Sequence, residues 1–182
     1  MKTRVNFLLW IVLAVLIIFR QTSATAAETK PVGMTAVVNS AAIAGTPKAV
    51  FDLITTARLW PQWHPATKEV GGVVERPYGL GDFIHEKGKI GDKDFQVTWK
   101  VVEHVRPSKI VLQSQSGPAR ITYTFKPGKG TTLFTRKLEY QAGNFASEKE
   151  LEKIMRDQSE RGVSQLKALV EKILREETKP LT

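Results

Sequence analysis

Thr131-Thr132-Leu133-Phe134-Thr135-Arg136-Lys137-Leu138-Glu139-Tyr140, and the Ser147-Glu148-Lys149-Glu150 that follows a short loop, decide the fold. The first stretch alternates, with Phe134, Arg136, Leu138 and Tyr140 sharing one face, as a half-buried strand requires. The second is a capping box, a serine cap with glutamate three residues on. Beyond it Leu151, Ile154, Met155, Leu166, Leu169, Val170, Ile173 and Leu174 recur at helical spacing to about Glu177. Glu152/Arg156, Asp157/Arg161 and Glu171/Arg175 are i,i+4 pairs worth a few tenths of a kcal/mol each. Burial of the apolar stripe, at about 1.5–3 kcal/mol per large side chain, is what docks such a helix. Ser159 and Gly162 interrupt the stripe and predict room beside the helix, which a leucine at 162 would fill. A strand feeding one long terminal helix, after several short strands, predicts a curved antiparallel sheet wrapped around that helix. Such an α+β arrangement encloses a cavity suited to an apolar small molecule.

Upstream, the pattern supplies the rest of the sheet. Met34–Ala44 reads as a first strand. Thr46 and Pro47 cap and open a helix whose buried stripe is Val50, Phe51, Leu53 and Ile54. Pro61 and Pro65 then break the chain into a second short helical piece around Trp60-Pro61-Gln62-Trp63-His64. Strands are expected over Thr67–Val74, Asp82–Ile90, Asp94–His104, Lys109–Ser116, Ala119–Phe125 and Thr131–Tyr140. Turns at Gly79/Gly81, Gly91-Asp92, Arg106-Pro107, Gly117-Pro118 and Pro127–Gly130 separate them. The count is about seven strands in an antiparallel meander. Phe95, Val97, Trp99 and Val101 share a face, and Ile121, Tyr123 and Phe125 share another strand's face.

The chain has 182 residues, 42% of them apolar, which suits one domain with a core. Residues 1–26 have a different pattern. Met1-Lys2-Thr3-Arg4 is a positive start, Phe7–Phe19 is an unbroken apolar run of 13 residues, and Ala24-Thr25-Ala26 fits a cleavage site. A cleaved secretory signal is the expectation, since a membrane span needs about 20 residues. Retained, the same run is an N-terminal anchor at the outer face of the inner membrane. Either way the folded domain, residues 34–178 behind a flexible lead over 27–33, is expected in the periplasm or secreted. The net charge is +9. Without Lys2, Arg4 and Arg20 the 27 basic residues become 24 against 18 acidic ones, an excess of +6. That suits a solubilising surface or weak peripheral attraction to membrane lipid headgroups. The basic residues are dispersed, which disfavours a nucleic-acid partner. With no cysteine, disulfides and thiolate chemistry are excluded. His64, His85 and His104 lack ligand spacing, so no metal is expected. No cofactor fingerprint is present. Nothing in the pattern sets an oligomeric state.

Local sequence narrows the fold. Ala49-Val50-Phe51-Asp52-Leu53-Ile54 with Trp60 and Trp63-His64-Pro65 come first. Arg76-Pro77-Tyr78-Gly79-Leu80-Gly81-Asp82-Phe83, Val101-Val102-Glu103-His104-Val105-Arg106-Pro107 and Gly130-Thr131-Thr132 follow. In this order, over about residues 34–174, the chain resembles the polyketide cyclase/dehydrase-like branch of the helix-grip (SRPBCC) superfamily. That superfamily also holds the START lipid-transfer and birch-pollen-allergen (Bet v 1-like) proteins. The resemblance implies a hydrophobic cavity between sheet and helix, and no single activity, because fold does not fix function.

Candidate ligand contacts follow from the faces. On the sheet they are Phe83, His85, Phe95, Val97, Trp99, Tyr123, Phe125, Phe134 and Arg136. On the helix they are Met155, Ser159, Gly162 and Leu166. His85, in phase with Phe83, points into the cavity if Phe83 does, where it would orient a carbonyl or move a proton; otherwise it is a rim histidine. Arg136 either meets a ligand carboxylate or internal acid, or reaches solvent along the aromatic face. Tyr123 is a pocket donor or a core ring with its hydroxyl at the edge. In this fold Trp60, Trp63 and His64 flank the cavity mouth, as a gate or as structural anchors. The resulting expectation is an exported protein that binds a hydrophobic or amphipathic small molecule, a lipid or aromatic metabolite, with binding favoured over catalysis and the question of a reaction left open. The alternatives are a cyclase/dehydratase-type enzyme and an interaction module whose core is filled.

Overall fold

The structure is a computed structural model and describes residues 33–142 and 147–179. The expected leader over 1–26, and all of the lead over 27–33 except Gly33, lie outside the described residues. Among the described residues no helix is long and apolar enough to cross a membrane.

The elements follow the expected order. β1 (Thr35–Ala44) leads to α1 (Pro47–Ile54), where the Thr46 hydroxyl accepts the Ala49 N–H at 3.3 Å and Pro47 sits in the first turn. A 3-10 turn (Ala57–Leu59) and α2 (Trp60–Trp63) come next. Then come β2 (Thr67–Gly72), β3 (Phe83–Ile90), β4 (Lys93–Val105), β5 (Lys109–Ser114), β6 (Ala119–Pro127) and β7 (Thr131–Tyr140). α3 (Glu148–Glu177) closes the chain, with Ser147 Oγ accepting the Glu150 N–H at 3.2 Å. β2 ends two residues before the expected Val74, at Gly72, whose φ of +82° leaves the extended region and turns the chain away.

One antiparallel sheet holds all seven strands in the order β1-β7-β6-β5-β4-β3-β2. Neighbours in sequence pair as a meander, except that β1 crosses to pair with β7 (Thr35 opposite Tyr140). Irregular register at Thr67/Glu69 in β2 and at Val101/Glu103 in β4 inserts an extra residue in each strand. Such bulges increase twist and bend the sheet into a half-barrel around α3. α3 buries Leu151, Ser159, Gly162, Val163, Leu166 and Val170. Beside β1, Lys167 Nζ donates to the Ala42 carbonyl at 2.6 Å, and the Ala44 N–H donates to Glu171 at 2.8 Å.

The space between sheet and α3 differs from end to end. At the Phe125/Phe134 end, α1 brings Phe51 onto Phe125 (ring centroids 4.9 Å apart), and Phe134 lies 5.4 Å from both Phe125 and Tyr123. These rings fill the interior there. At the opposite end of β6 and β7, next to Ala119 and Tyr140, the interior is hollow.

Candidate functional site

The hollow has a volume of about 250 Å³. Val97 and Trp99 of β4, Ile121 of β6, Leu138 and Tyr140 of β7, and Leu151 and Met155 of α3 give it an apolar wall. The turn Ser116–Pro118, Gln141 and Gln158 also line it. One wall is polar, built by His64, Glu86, Arg136 and Ser159.

The polar wall is a connected chain of hydrogen bonds. Arg136, with 2% of its surface exposed, donates from Nη1 to Ser159 Oγ at 2.9 Å. Its Nη2 meets His64 Nε2 at 3.3 Å. A guanidinium only donates, so Nε2 must accept and the ring proton sits on Nδ1. His64 Nδ1 lies 2.7 Å from Thr67 Oγ1, which accepts that proton and passes its own hydroxyl hydrogen to Glu86 Oε1. The other oxygen, Oε2, accepts from Trp99 Nε1 at 2.8 Å. Thus Arg136 and Glu86, opposite charges on β7 and β3, are joined through the neutral His64 and Thr67.

The electrostatics follow from burial. Desolvation, helped by the Arg136 charge, pushes His64 down to about 3, so the ring is neutral. Burial raises the Glu86 carboxyl above the usual range, against the opposing hydrogen bonds from Thr67 and Trp99 and the charge of Arg136. The Tyr123 hydroxyl, whose residue pairs across from Arg136 on β6, is also raised by burial, with the Arg136 charge opposing. Chemically, the wall offers a fixed cation, a carboxylate with heightened proton affinity and a neutral imidazole of defined tautomer. Among the described residues no group of three or more histidines or carboxylates is placed to hold a metal.

Of the residues expected at the site, Phe95, Val97, Trp99, Arg136, Met155, Ser159 and His64 meet around the hollow. The others lie elsewhere. Phe83 and His85 face outward: Phe83 is 42% exposed with Lys100 Nζ 5.6 Å from its ring centre, and His85 bonds Thr98 at 3.0 Å. The β3–β4 register puts Ile84 opposite Trp99 and Glu86 opposite Val97, so the inward set on β3 is the one containing the glutamate. Phe125, Phe134 and Leu166 belong to the packed core, and Tyr123 stands behind Arg136. Gly162 does not border the hollow: a Cβ there would meet Pro65 Cδ at 3.3 Å and the Trp63 carbonyl at 3.6 Å. Its missing side chain lets the α2–β2 turn close on α3. Trp60 and Trp63 are buried at 3% and 1% exposure, Trp60 packing edge-on to Tyr78, and neither borders the hollow. The sequence reading missed Glu86 and Thr67, because charged and hydroxyl residues in a strand are ordinarily assigned to solvent.

Several solved structures share this architecture. A START superfamily protein from Mycobacterium smegmatis matches with a TM-score of 0.63 and 16% identity, over 76% of this chain and 98% of that one. A protein from Thermus thermophilus matches with a TM-score of 0.65 and 16% identity, over 75% and 97%. The major latex-like protein 151 of Panax ginseng matches at 0.53 and 10%, over 75% and 97%. At these identities the likeness is one of fold. No curated protein sequence matches the chain. Residues 34–171 match the family described as polyketide cyclase / dehydrase and lipid transport. With that match from β1 into the last turns of α3, this chain belongs to the polyketide cyclase / dehydrase and lipid transport family.

Proposed function

We propose that this protein binds a hydrophobic or amphipathic small molecule, a lipid or aromatic metabolite, in the hollow between sheet and α3, outside the cytoplasm. The observation that carries this reading is a hollow of about 250 Å³ with an apolar wall and one cluster of polar groups. That division of labour is the one small-molecule sites use: apolar burial supplies affinity at about 25 cal/mol per Å², and a few polar groups fix orientation. The family description, which includes lipid transport, supports the same ligand class. The leader-like residues 1–26 support export. Exposed Leu80 and Phe83, with Lys100 over the latter's ring, support peripheral contact with lipid headgroups.

The test is native mass spectrometry of protein purified gently from its own compartment. A bound small molecule, lost in Ile121→Trp, is the expected result. The polypeptide mass is expected to lack residues 1–26. A ligand-free spectrum together with no uptake of an apolar dye removes the reading.

One observation favours an enzyme of the cyclase/dehydratase type as the second reading. Glu86 borders the same hollow as Arg136 with a raised proton affinity. A carboxylate so tuned takes a proton from a carbon next to a carbonyl, while a guanidinium stabilises the oxyanion formed. Turnover that disappears in Glu86→Gln while binding persists would select it.

A further inference from the structure

The guanidinium of Arg136 is a buried cation whose contacts are all uncharged. Ser159 Oγ and His64 Nε2 meet it, and Tyr123 stands opposite it on β6. Its Nε–H is buried and has no acceptor. Among the described residues no carboxylate lies within ion-pair distance of it. Glu86 acts on it only through space and through the His64–Thr67 bridge. A charge taken out of water is normally paired, and a guanidinium has five donors to satisfy. What the guanidinium lacks is an anionic oxygen group in direct contact, and Arg136 borders the hollow.

We propose that Arg136 anchors the carboxylate of a monocarboxylic amphiphile, whose apolar body lies along Trp99, Ile121, Leu138, Leu151 and Met155. The inference rests on the hollow being a ligand site, as proposed above. Charge decides between a carboxylate and a phosphomonoester. Arg136 is the sole cation among the described residues that line the hollow, because His64 is neutral, and Glu86 lines it too. A singly charged head balances one guanidinium. A dianion would leave a buried negative charge unpaired beside Glu86. The bridge through His64 and Thr67 holds Glu86 apart from Arg136, which leaves the guanidinium free for the ligand. The same head is presented by alkyl and by aryl acids, which differ in the body that fills the apolar wall.

The experiment uses the full chain, stripped of bound material on a hydrophobic resin. Calorimetric titrations compare dodecanoate with its methyl ester, and 2-naphthoate with its methyl ester. For at least one pair the acid is expected to bind about 10- to 100-fold tighter than the ester, the range of a charge-assisted hydrogen bond. The pair that does so identifies the body as alkyl or aryl. Arg136→Gln is expected to abolish the preference and keep ester affinity. Glu86→Gln is expected to strengthen acid binding, because it removes the like charge. Equal binding of acid and ester by the wild type, or a preference that survives in Arg136→Gln, overturns the anchor while leaving the container intact. Binding of neither member of either pair overturns both. If Arg136→Gln fails to fold, the wild-type comparison and the sign of the Glu86→Gln change still decide.

Discussion

His64 shows how much one side chain on the polar wall is asked to do. It accepts from Arg136, donates to Thr67, and stays neutral because burial pushes its pKa down to about 3. A depressed folded pKa contributes stability that is present above the unfolded value of about 6.5 and lost as pH falls toward the folded one. Glu86 has the opposite sign: its raised pKa favours the fold at low pH, and that contribution fades as pH rises above the ordinary carboxylate range. Comparing wild type with His64→Gln isolates the histidine, since the amide can accept from Arg136 and donate to Thr67. Between pH 7 and pH 5 the wild type is expected to lose up to about 2 kcal/mol more unfolding free energy than the variant, measured by urea denaturation. Equal losses would mean that the ring is protonated in the fold. Half of this wall is readable from the sequence. Arg136 stands in phase with Phe134, Leu138 and Tyr140, a phase that leaves burial and a reach to solvent both open, and the structure buries it. Glu86 is also within reach: a two-residue turn at Gly91-Asp92 pairs Ile90 with Lys93 and hence Glu86 with Val97. Once Val97 is inward, Glu86 must be. The preference for placing Phe83 inside conceals it, since alternation defines two faces but only register says which is buried.

Among the elements, α3 is the most legible, because its cap and stripe are local signals. Its packing partners are not. Gly162 marks a close approach of the α2–β2 turn, with Pro65 Cδ 3.3 Å and the Trp63 carbonyl 3.6 Å from where a Cβ would stand. Three magnitudes decide what substitution does. Replacing glycine inside a helix gains about 1 kcal/mol of intrinsic propensity. A single methyl at these distances needs only a small adjustment, so Gly162→Ala is expected to be near neutral. Gly162→Leu drives several atoms into Trp63–Pro65, and overpacking of about 1–3 kcal/mol outweighs the propensity gain. A lowered denaturation midpoint in the leucine variant alone is the expected outcome, and two unchanged midpoints would show the turn standing off α3. The short α2 owes its place to the same seam. Its last residue's carbonyl and the Pro65 ring approach α3 at Gly162, a tertiary fact no local pattern carries.

At the scale of the whole molecule, the sheet has two edges and each is protected. α3 occupies the outer side of β1 through Lys167 and Glu171, while β2 is short, irregular at its start, and carries Lys68 and Glu69 exposed. Both devices discourage pairing with another sheet. The interior between those edges is unequal, solid around Phe51, Phe125 and Phe134 and empty beside Tyr140. That inequality has a mechanical consequence. Under hydrostatic compression a protein yields where internal void can be eliminated, and its unfolding volume scales with that void. The soft half of this domain should therefore give way first, and an occupant should stiffen it. High-pressure fluorescence is expected to show a higher unfolding pressure with the cavity filled, by Ile121→Trp or by a bound guest, than with it vacant.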